Sequence, residues 1–108
     1  MSSSMIRKAF VMSVFPGKES EYAERHARVW PELLQTLKQH GVSNYSIFLD
    51  EQTSQIFAYL EIESEAEFAA IAGTDVCKRW WEHMAEIMPS NDDNSPIVRN
   101  CRHVFHLE

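Results

Sequence analysis

The sequence predicts an α+β fold of the ferredoxin-like type, with the order β-α-β-β-α-β and helices on one face of an antiparallel sheet. Strand-like and helix-like apolar patterns alternate in that order along the chain. The second and third predicted strands are joined by five polar residues, which indicates a hairpin. The first strand is apolar on both faces. Since the helices cover only one face, we expect a second copy to cover the other, as in a dimeric α+β barrel.

The composition indicates a single globular domain: 108 residues with 44% apolar content. The net charge is −6 and the ten basic residues are scattered, which argues against nucleic-acid and anionic-membrane partners. No apolar run approaches the roughly 20 residues of a membrane span. We expect a cytoplasmic protein with a disordered extension at residues 1–4, a domain over residues 5–108, and Cys77 and Cys101 as reduced thiols.

The first strand is predicted from Met5 to Phe15, where Ile, Phe, Val and Met predominate and Pro16 closes the segment. A first helix follows from about Lys18 to His40, with acidic residues in its first turn and basic residues in its last. Gly41 occupies the position of a left-handed C-cap. Pro31 lies inside this helix, so we expect a kink or a helix restart there.

The next two strands are predicted at Asn44 to Leu49 and at Gln55 to Ile62, joined by a polar loop at 50–54. Tyr45, Ile47 and Leu49 share one face of the first segment. In the second segment, apolar residues fall at alternate positions: Ile56, Ala58, Leu60 and Ile62. The two segments form the clearest local pairing in the chain.

The second helical region is predicted in two pieces. Ser64 begins a capping-box pattern that opens a short helix ending at Gly73, and a second helix runs from Val76 to Met88. A polar loop follows at Ser90 to Pro96. The last predicted strand is Ile97 to Leu107.

The first predicted helix carries an unusual row of side chains. Tyr22, His26 and Trp30 are spaced four residues apart and so lie on one face. A face that only packs would carry aliphatic residues, whereas this one carries an imidazole that titrates near neutrality between two aromatic hydrogen-bonding groups. A lone histidine is usually structural. Its two neighbours make His26 the leading candidate for chemistry.

Adjacent indoles at Trp80 and Trp81 are the second unusual pattern. They lie about 100° apart on a helix, so one can be buried while the other faces a cavity. Taken alone, packing of both is the simpler interpretation. A site for a sugar, however, needs an aromatic platform with a few fixed polar groups, and three tryptophans with tyrosines and a histidine provide those parts.

Metal and cofactor sites are not predicted. His103 and His106 are three apart on a predicted strand, so their side chains should point to opposite faces and not chelate together. Cys77 has no evident base beside it for nucleophilic chemistry. The chain has three glycines and no glycine-rich phosphate loop.

Eight fragments in order resemble one family, the L-rhamnose mutarotases. They are Met5-Ile-Arg-Lys-Ala-Phe-Val-Met12, Glu21-Tyr22 with Arg25-His26, Trp30-Pro31-Glu32-Leu33, His40-Gly41 with Asn44-Tyr45, Glu61-Ile62-Glu63, Thr74-Asp75-Val76-Cys77 with Trp80-Trp81, Met88-Pro89, and Asp93-Asn94-Ser95-Pro96. The resemblance implies a homodimer that interconverts the α and β anomers of L-rhamnose without a cofactor. It also implies that His26 is the proton donor and that four residues contact the sugar: Tyr22, Tyr45, Trp80 and Trp81.

The chemistry of mutarotation fits such a site. Ring opening at C1 requires one proton to reach the ring oxygen while another leaves the C1 hydroxyl, so one acid and one base suffice. Histidine, with an ordinary pKa of about 6.5, can exchange protons at neutral pH. Tyr22 is assigned to binding first, because a phenol is a poor base at neutral pH. The sequence leaves the identity of the base open.

Two other functions are compatible with the predicted fold. One is a cofactor-free monooxygenase, since fold alone does not determine function. The other is a non-catalytic sugar-binding module. The polar loop and the tyrosines favour a hydroxylated ligand over the first, and an imidazole that titrates near neutrality favours catalysis over the second.

Overall fold

The computed structural model describes residues 5–108, so the predicted extension at residues 1–4 lies outside the described part of the chain. The elements in chain order are β1 (Ile6–Ser13), α1 (Glu19–His26), α2 (Pro31–Gln39), β2 (Val42–Asp50), β3 (Gln55–Ile62), α3 (Glu65–Ala70) with a 3₁₀ turn (Ile71–Gly73), α4 (Asp75–Met84) and β4 (Arg99–Cys101). Among the described residues, no helix is long and apolar enough to cross a membrane.

The strands form one antiparallel sheet in the order β2-β3-β1-β4. β1 and β3 pair along their full length, from Ile6 opposite Ile62 to Ser13 opposite Gln55. The four helices and this sheet order confirm the predicted ferredoxin-like α+β fold.

The two faces of the sheet differ in character. On the inner face, four alternate residues of β3 are buried against the helices: Ile56, Ala58, Leu60 and Ile62. On the outer face, Val11 of β1 lies opposite Phe57 of β3, which in turn lies opposite Phe48 of β2. Phe48 is 67% exposed and Phe57 is 42% exposed. We call the outer positions Val11, Phe48 and Phe57 the outer apolar row.

The first helical region is two helices, so the single helix predicted from Lys18 to His40 is wrong and the predicted restart at Pro31 is confirmed. Pro31 is the first residue of α2, where its missing N–H costs no hydrogen bond. Trp30 precedes it in an extended conformation (φ −61°, ψ 131°), since the proline ring disfavours a helical residue before it.

The second helical region also ends earlier than predicted, at Met84 and not at Met88. The Ile87 carbonyl accepts a hydrogen bond from the Phe15 N–H at 2.9 Å, and Ile87 and Met88 are buried. The segment after α4 therefore makes a backbone hydrogen bond to the chain just beyond β1. At the start of α4, the Thr74 hydroxyl accepts a hydrogen bond from the Cys77 N–H at 3.4 Å and caps the helix.

The last strand is three residues long, so the prediction of a strand from Ile97 to Leu107 is wrong over most of its length. Beyond Cys101 the chain continues without ladder pairing, and Val104, Phe105 and Leu107 are 77 to 79% exposed. The physical reason is that these side chains bury little apolar surface here, so little free energy offsets the entropy cost of ordering the segment as a strand.

Substitution of Gly41 should test the junction of α2 and β2. Gly41 has φ +82°, and a Cβ there would lie 3.0 Å from Cβ of Glu63. Gly41→Ala should therefore lower the free energy of unfolding by about 1 to 2 kcal/mol, measured by denaturant titration.

Gly73→Ala is the matched control, because a Cβ there meets nothing within 4 Å and its φ is not positive. It should change the free energy of unfolding by less than about 0.5 kcal/mol. Equal destabilisation by both substitutions would contradict the assigned backbone strain at Gly41.

Candidate active site

A cavity of about 860 Å³ lies between the inner face of the sheet and the helices. All five residues that the sequence singled out line it: Tyr22, His26, Tyr45, Trp80 and Trp81. The fold therefore brings together candidates from α1, β2 and α4. Their individual roles stay predictions.

The α1 side of the cavity is a stacked pair. The Tyr22 and His26 rings are one helical turn apart, with centroids 4.2 Å apart and planes inclined by 24°. Nδ1 of His26 lies 3.1 Å from the Tyr22 carbonyl oxygen. Because a carbonyl oxygen only accepts, Nδ1–H must be the donor, which fixes the tautomer of the neutral ring. Nε2 is the remaining nitrogen.

Burial lowers the pKa of His26 below its ordinary value of 6.5, and the hydrogen bond to Tyr22 opposes this shift only in part. Burial likewise raises the pKa of Tyr22, with a smaller contribution from the nearby Tyr45 hydroxyl. At neutral pH the pair is thus an uncharged imidazole beside an uncharged phenol.

The α4 side presents one helical stripe, at positions i, i+3, i+4 and i+7. Its members are Cys77, Trp80, Trp81 and Met84, and all four line the cavity. The sequence analysis missed Cys77 and Met84 as cavity residues, although their helical spacing from the two tryptophans contains the signal. Burial raises the pKa of the Cys77 thiol to about 11, which keeps it protonated.

Trp30 does not continue the Tyr22–His26 row, as the sequence pattern had suggested, because it lies at the break between α1 and α2. Its ring packs edge-on against Trp80 at 5.1 Å, and Trp80 in turn meets His26 edge-on at 5.6 Å. Trp30 therefore packs against Trp80 and is not among the described residues that line the cavity.

Tyr45 lies on the inner face through the ordinary alternation of the hairpin end of β2, and it lines the cavity. The register of β2 against β3 shifts between Ser43 and Ser46, and Asn44 adopts a positive φ of 50°. This bulge inserts a residue into the alternation, so that Val42 before it also lies on the inner face. Although part of the Tyr45 ring is accessible, burial raises the pKa of its hydroxyl to about 12, so it stays protonated at neutral pH.

An arginine joins the two helices that carry the site. Nε of Arg25 lies 2.8 Å from a Glu21 carboxylate oxygen on α1, and Nη2 lies 3.0 Å from Glu86 beyond α4. Arg25 also donates to the backbone carbonyl of His83 in the last turn of α4. These charge-assisted bonds hold the helix that carries His26 against the helix that carries Trp80.

Polar groups border one side of the cavity. They come mainly from the loop before β4, as Ser90, Asn91, Asn94 and Ser95, and from Lys8 and Asn100 on the sheet. The loop is internally fixed, because the Asn91 amide donates to the Ser95 hydroxyl at 3.0 Å and the Asp93 carboxylate accepts from the Ser95 N–H at 3.0 Å. A cavity with aromatic walls and a polar edge suits a small hydroxylated ligand.

His103 and His106 do not lie on a strand, so the predicted placement of their side chains on opposite sheet faces is wrong. Both residues lie beyond β4, and their ring centroids are 6.5 Å apart. His106 Nε2 lies 3.1 Å from an Arg7 guanidinium nitrogen. Within residues 5–108, no three His, Cys, Asp or Glu side chains converge on a possible metal position.

Comparison with known proteins places these features in one family. The family model described as L-rhamnose mutarotase matches residues 7–107. The chain is 62% identical to an L-rhamnose mutarotase from Opitutus terrae, over 96% of this chain and 100% of the relative. It is also similar to the crystal structure of an L-rhamnose mutarotase from Formosa agariphila, with 43% identity, a TM-score of 0.87, and coverage of 95% of this chain and 99% of that one.

A more distant neighbour shares the fold alone. A proposed antibiotic biosynthesis monooxygenase from Bordetella bronchiseptica superposes with a TM-score of 0.70, over 95% of this chain and 100% of that one, at 14% identity. At that identity the likeness describes the backbone, and function depends on the side chains placed on it.

The two thiols should differ in reactivity. Cys77 is buried with a pKa of about 11, whereas Cys101 is exposed on the sheet. In the native protein at about pH 8, an aromatic disulfide reagent should modify Cys101 rapidly and leave Cys77 largely unreacted, because the thiolate is the attacking species.

Both thiols should react once the protein is unfolded in guanidinium. Cys101→Ser is the matched control, and it should remove the fast native reaction. Rapid native modification of Cys77 in that variant would contradict its burial in the cavity wall.

Proposed function

The chain belongs to the L-rhamnose mutarotase family, and we propose that it interconverts the α and β anomers of L-rhamnose by opening and reclosing the pyranose ring. The observation that carries this proposal is the meeting of His26 with the Trp80–Trp81 pair on one cavity. A neutral imidazole beside an aromatic wall supplies proton transfer and sugar binding in one place.

His26 is the proposed catalytic residue and gives its proton to the sugar during turnover. Its lowered pKa leaves the imidazole neutral at pH 7, with one ring nitrogen able to accept a proton from the sugar and return it. The reaction moves protons and breaks one C–O bond, so it requires no redox or group-transfer cofactor.

Four residues are proposed to bind the sugar. Trp80 and Trp81 offer indole faces for the C–H side of the ring, and Tyr22 and Tyr45 offer hydroxyls that remain protonated and can donate hydrogen bonds. The polar loop from Ser90 to Ser95 supports a ligand with several hydroxyl groups.

The two competing functions are less well supported. The monooxygenase neighbour shares the backbone at 14% identity, whereas the mutarotase relatives share most of the sequence. A pure binding module needs no titratable group between its aromatic contacts, yet His26 stacks on Tyr22 and touches Trp80.

The proposed assembly is a homodimer in which two outer sheet faces pack together. The outer apolar row of Val11, Phe48 and Phe57 crosses three strands, and its two phenylalanines are exposed. Apolar surface of this kind costs free energy in water, and a two-fold dimer covers the same patch on both subunits.

A cytoplasmic location is also proposed. Both cysteines are free thiols, including the exposed Cys101. Reduced thiols persist in a reducing compartment.

Substitution of His26 should separate catalysis from binding. Anomer exchange of L-rhamnose, measured by saturation-transfer NMR, should fall by about 10² to 10⁴-fold in His26→Ala and His26→Gln, because neither side chain replaces the proton transfer. Trp81→Ala should instead raise KM with less than about a tenfold change in kcat, since it removes contact area present in the ground and transition states alike.

The comparison is valid where circular dichroism and sedimentation match wild type. His26→Ala that exchanges anomers at the wild-type rate would refute the catalytic assignment. Wild-type protein without exchange above the uncatalysed rate would refute the proposed activity itself.

Charges on the outer sheet face should separate the subunits. Phe48→Glu and Phe57→Glu should each shift the protein from dimer to monomer in sedimentation velocity at micromolar concentration, because dimerisation would bury an unpaired carboxylate. Leu34→Glu is the matched control: Leu34 is 47% exposed but lies on α2, and its substitution should leave the dimer intact. A wild-type monomer would overturn the assembly.

A further inference from the structure

Resting on the proposed function, we infer that Nε2 of His26 performs both proton transfers of ring opening: it takes the proton of the C1 hydroxyl and then delivers a proton to the ring oxygen. One nitrogen thus acts first as base and then as acid, and the site contains no separate general base.

Nδ1 of His26 is not available for proton exchange with the sugar. It lies 3.1 Å from the Tyr22 carbonyl, which accepts but cannot donate, so its proton stays on Nδ1 in both protonation states of the ring. Only Nε2 changes its protonation when His26 titrates. Tyr22, stacked on the ring at 4.2 Å, keeps the imidazole in this orientation.

Nε2 of His26 is available to bind a ligand. Within residues 5–108 it makes no hydrogen bond, and no fully buried side-chain nitrogen or oxygen of the described residues lacks a partner. Nε2 is therefore accessible, and His26 lines the cavity. Since burial keeps the ring neutral at pH 7, Nε2 presents a lone pair, and its first act must be to accept a proton.

The described cavity lining contains no other group that can act as a base at neutral pH. It contains no aspartate and no glutamate. Its remaining titratable groups are Tyr22, Tyr45, Cys77, Lys8 and Lys38. The first three have pKa values raised by burial and stay protonated at neutral pH.

Two charged groups near the site, Lys8 and Arg25, form ion pairs. Lys8 pairs with Glu65 at 3.1 Å. Arg25 pairs with Glu21 and Glu86 and donates to the His83 backbone carbonyl. The centroid of the His83 ring lies 5.6 Å from those of Trp30 and Trp80, and His83 is not among the described residues that line the cavity.

The step balances with His26 alone. The C1 hydroxyl O–H bond breaks and its proton bonds to Nε2, while the oxygen electron pair forms the C1 carbonyl. The bond from C1 to the ring oxygen breaks, and its electron pair remains on that oxygen, which takes the proton from Nε2. The two oxygens share one carbon, so a small shift brings either within reach of one nitrogen. Rotation about C1–C2 and the reverse sequence yield the other anomer.

The pH profile distinguishes this shuttle from a donor working with a separate base. The shuttle needs neutral His26 at the start, so kcat/KM should fall as pH decreases through the His26 pKa, below the ordinary value of about 6.5, and stay level up to about pH 9. If His26 instead had to start as imidazolium, kcat/KM would fall as pH rises through its pKa.

Nitrogen NMR of histidine-labelled protein gives a readout that does not depend on activity. Neutral His26 should show a protonated Nδ1 and an unprotonated Nε2, and its titration midpoint should match the acid limb of kcat/KM. His40 is the matched control, because its Nδ1 bonds the Thr36 carbonyl at 2.8 Å in the same way but it lies outside the described cavity lining. His40→Gln should leave the exchange rate and the acid limb unchanged.

The outcomes separate the shuttle from the proposed activity. Wild-type exchange with activity lost as pH rises through the His26 midpoint, or the Nε2–H tautomer in the neutral ring, would overturn the shuttle and leave the mutarotase function intact. Loss of exchange by more than about 10³-fold in Tyr22→Phe or Tyr45→Phe with sugar binding retained would identify a second essential proton carrier and also overturn it. No wild-type exchange at any pH would instead refute the function.

Discussion

The edge-on packing of Trp80 between His26 and Trp30 is the contact on which the site depends. It joins α1, the start of α2 and α4 at one point, with ring separations of 5.6 Å and 5.1 Å. Trp80 is 8% exposed, so most of its large apolar surface contributes to stability as well as to the position of the imidazole. The same burial that stabilises this junction desolvates His26, and the fold thereby sets the protonation state of the residue proposed to act on the sugar.

Two breaks in regular structure make that arrangement possible. Pro31 ends the first helical row and lets Trp30 turn behind Trp80, since a proline is tolerated at the first position of a new helix. The bulge at Asn44 shifts the alternation of β2, so that Val42 before it and Tyr45 after it both lie on the inner face and line the cavity. Both irregularities lie beside the cavity, which is consistent with a functional reason for their cost.

The cavity also simplifies the acid–base chemistry of the site. Burial raises the pKa values of phenols and thiols and lowers that of an imidazole, so the same environment moves Tyr45 and Cys77 away from neutrality while it keeps His26 uncharged. One such group suffices for the two proton transfers near pH 7 that are proposed for His26. Extra titratable partners would add competing protonation states.

The sequence by itself determined the features that depend on neighbours a few residues away. Four such features are local, because strand period, capping geometry and proline sterics act over one or two turns. They are the alternation in β3, the capping residue Ser64, the left-handed Gly41 and the helix restart at Pro31. The residue types of the candidate site were readable for the same reason, together with the family resemblance.

The tertiary structure decided the features that depend on distant partners. The departure of Trp30 from its row, the place of Cys77 in the cavity and the direction of the His26 pKa shift all depend on contacts between α1, α2 and α4. The early end of β4 depends on what covers the chain after Cys101. Such outcomes follow from burial and from which side chains meet across the fold, and the local pattern of a sequence does not specify either.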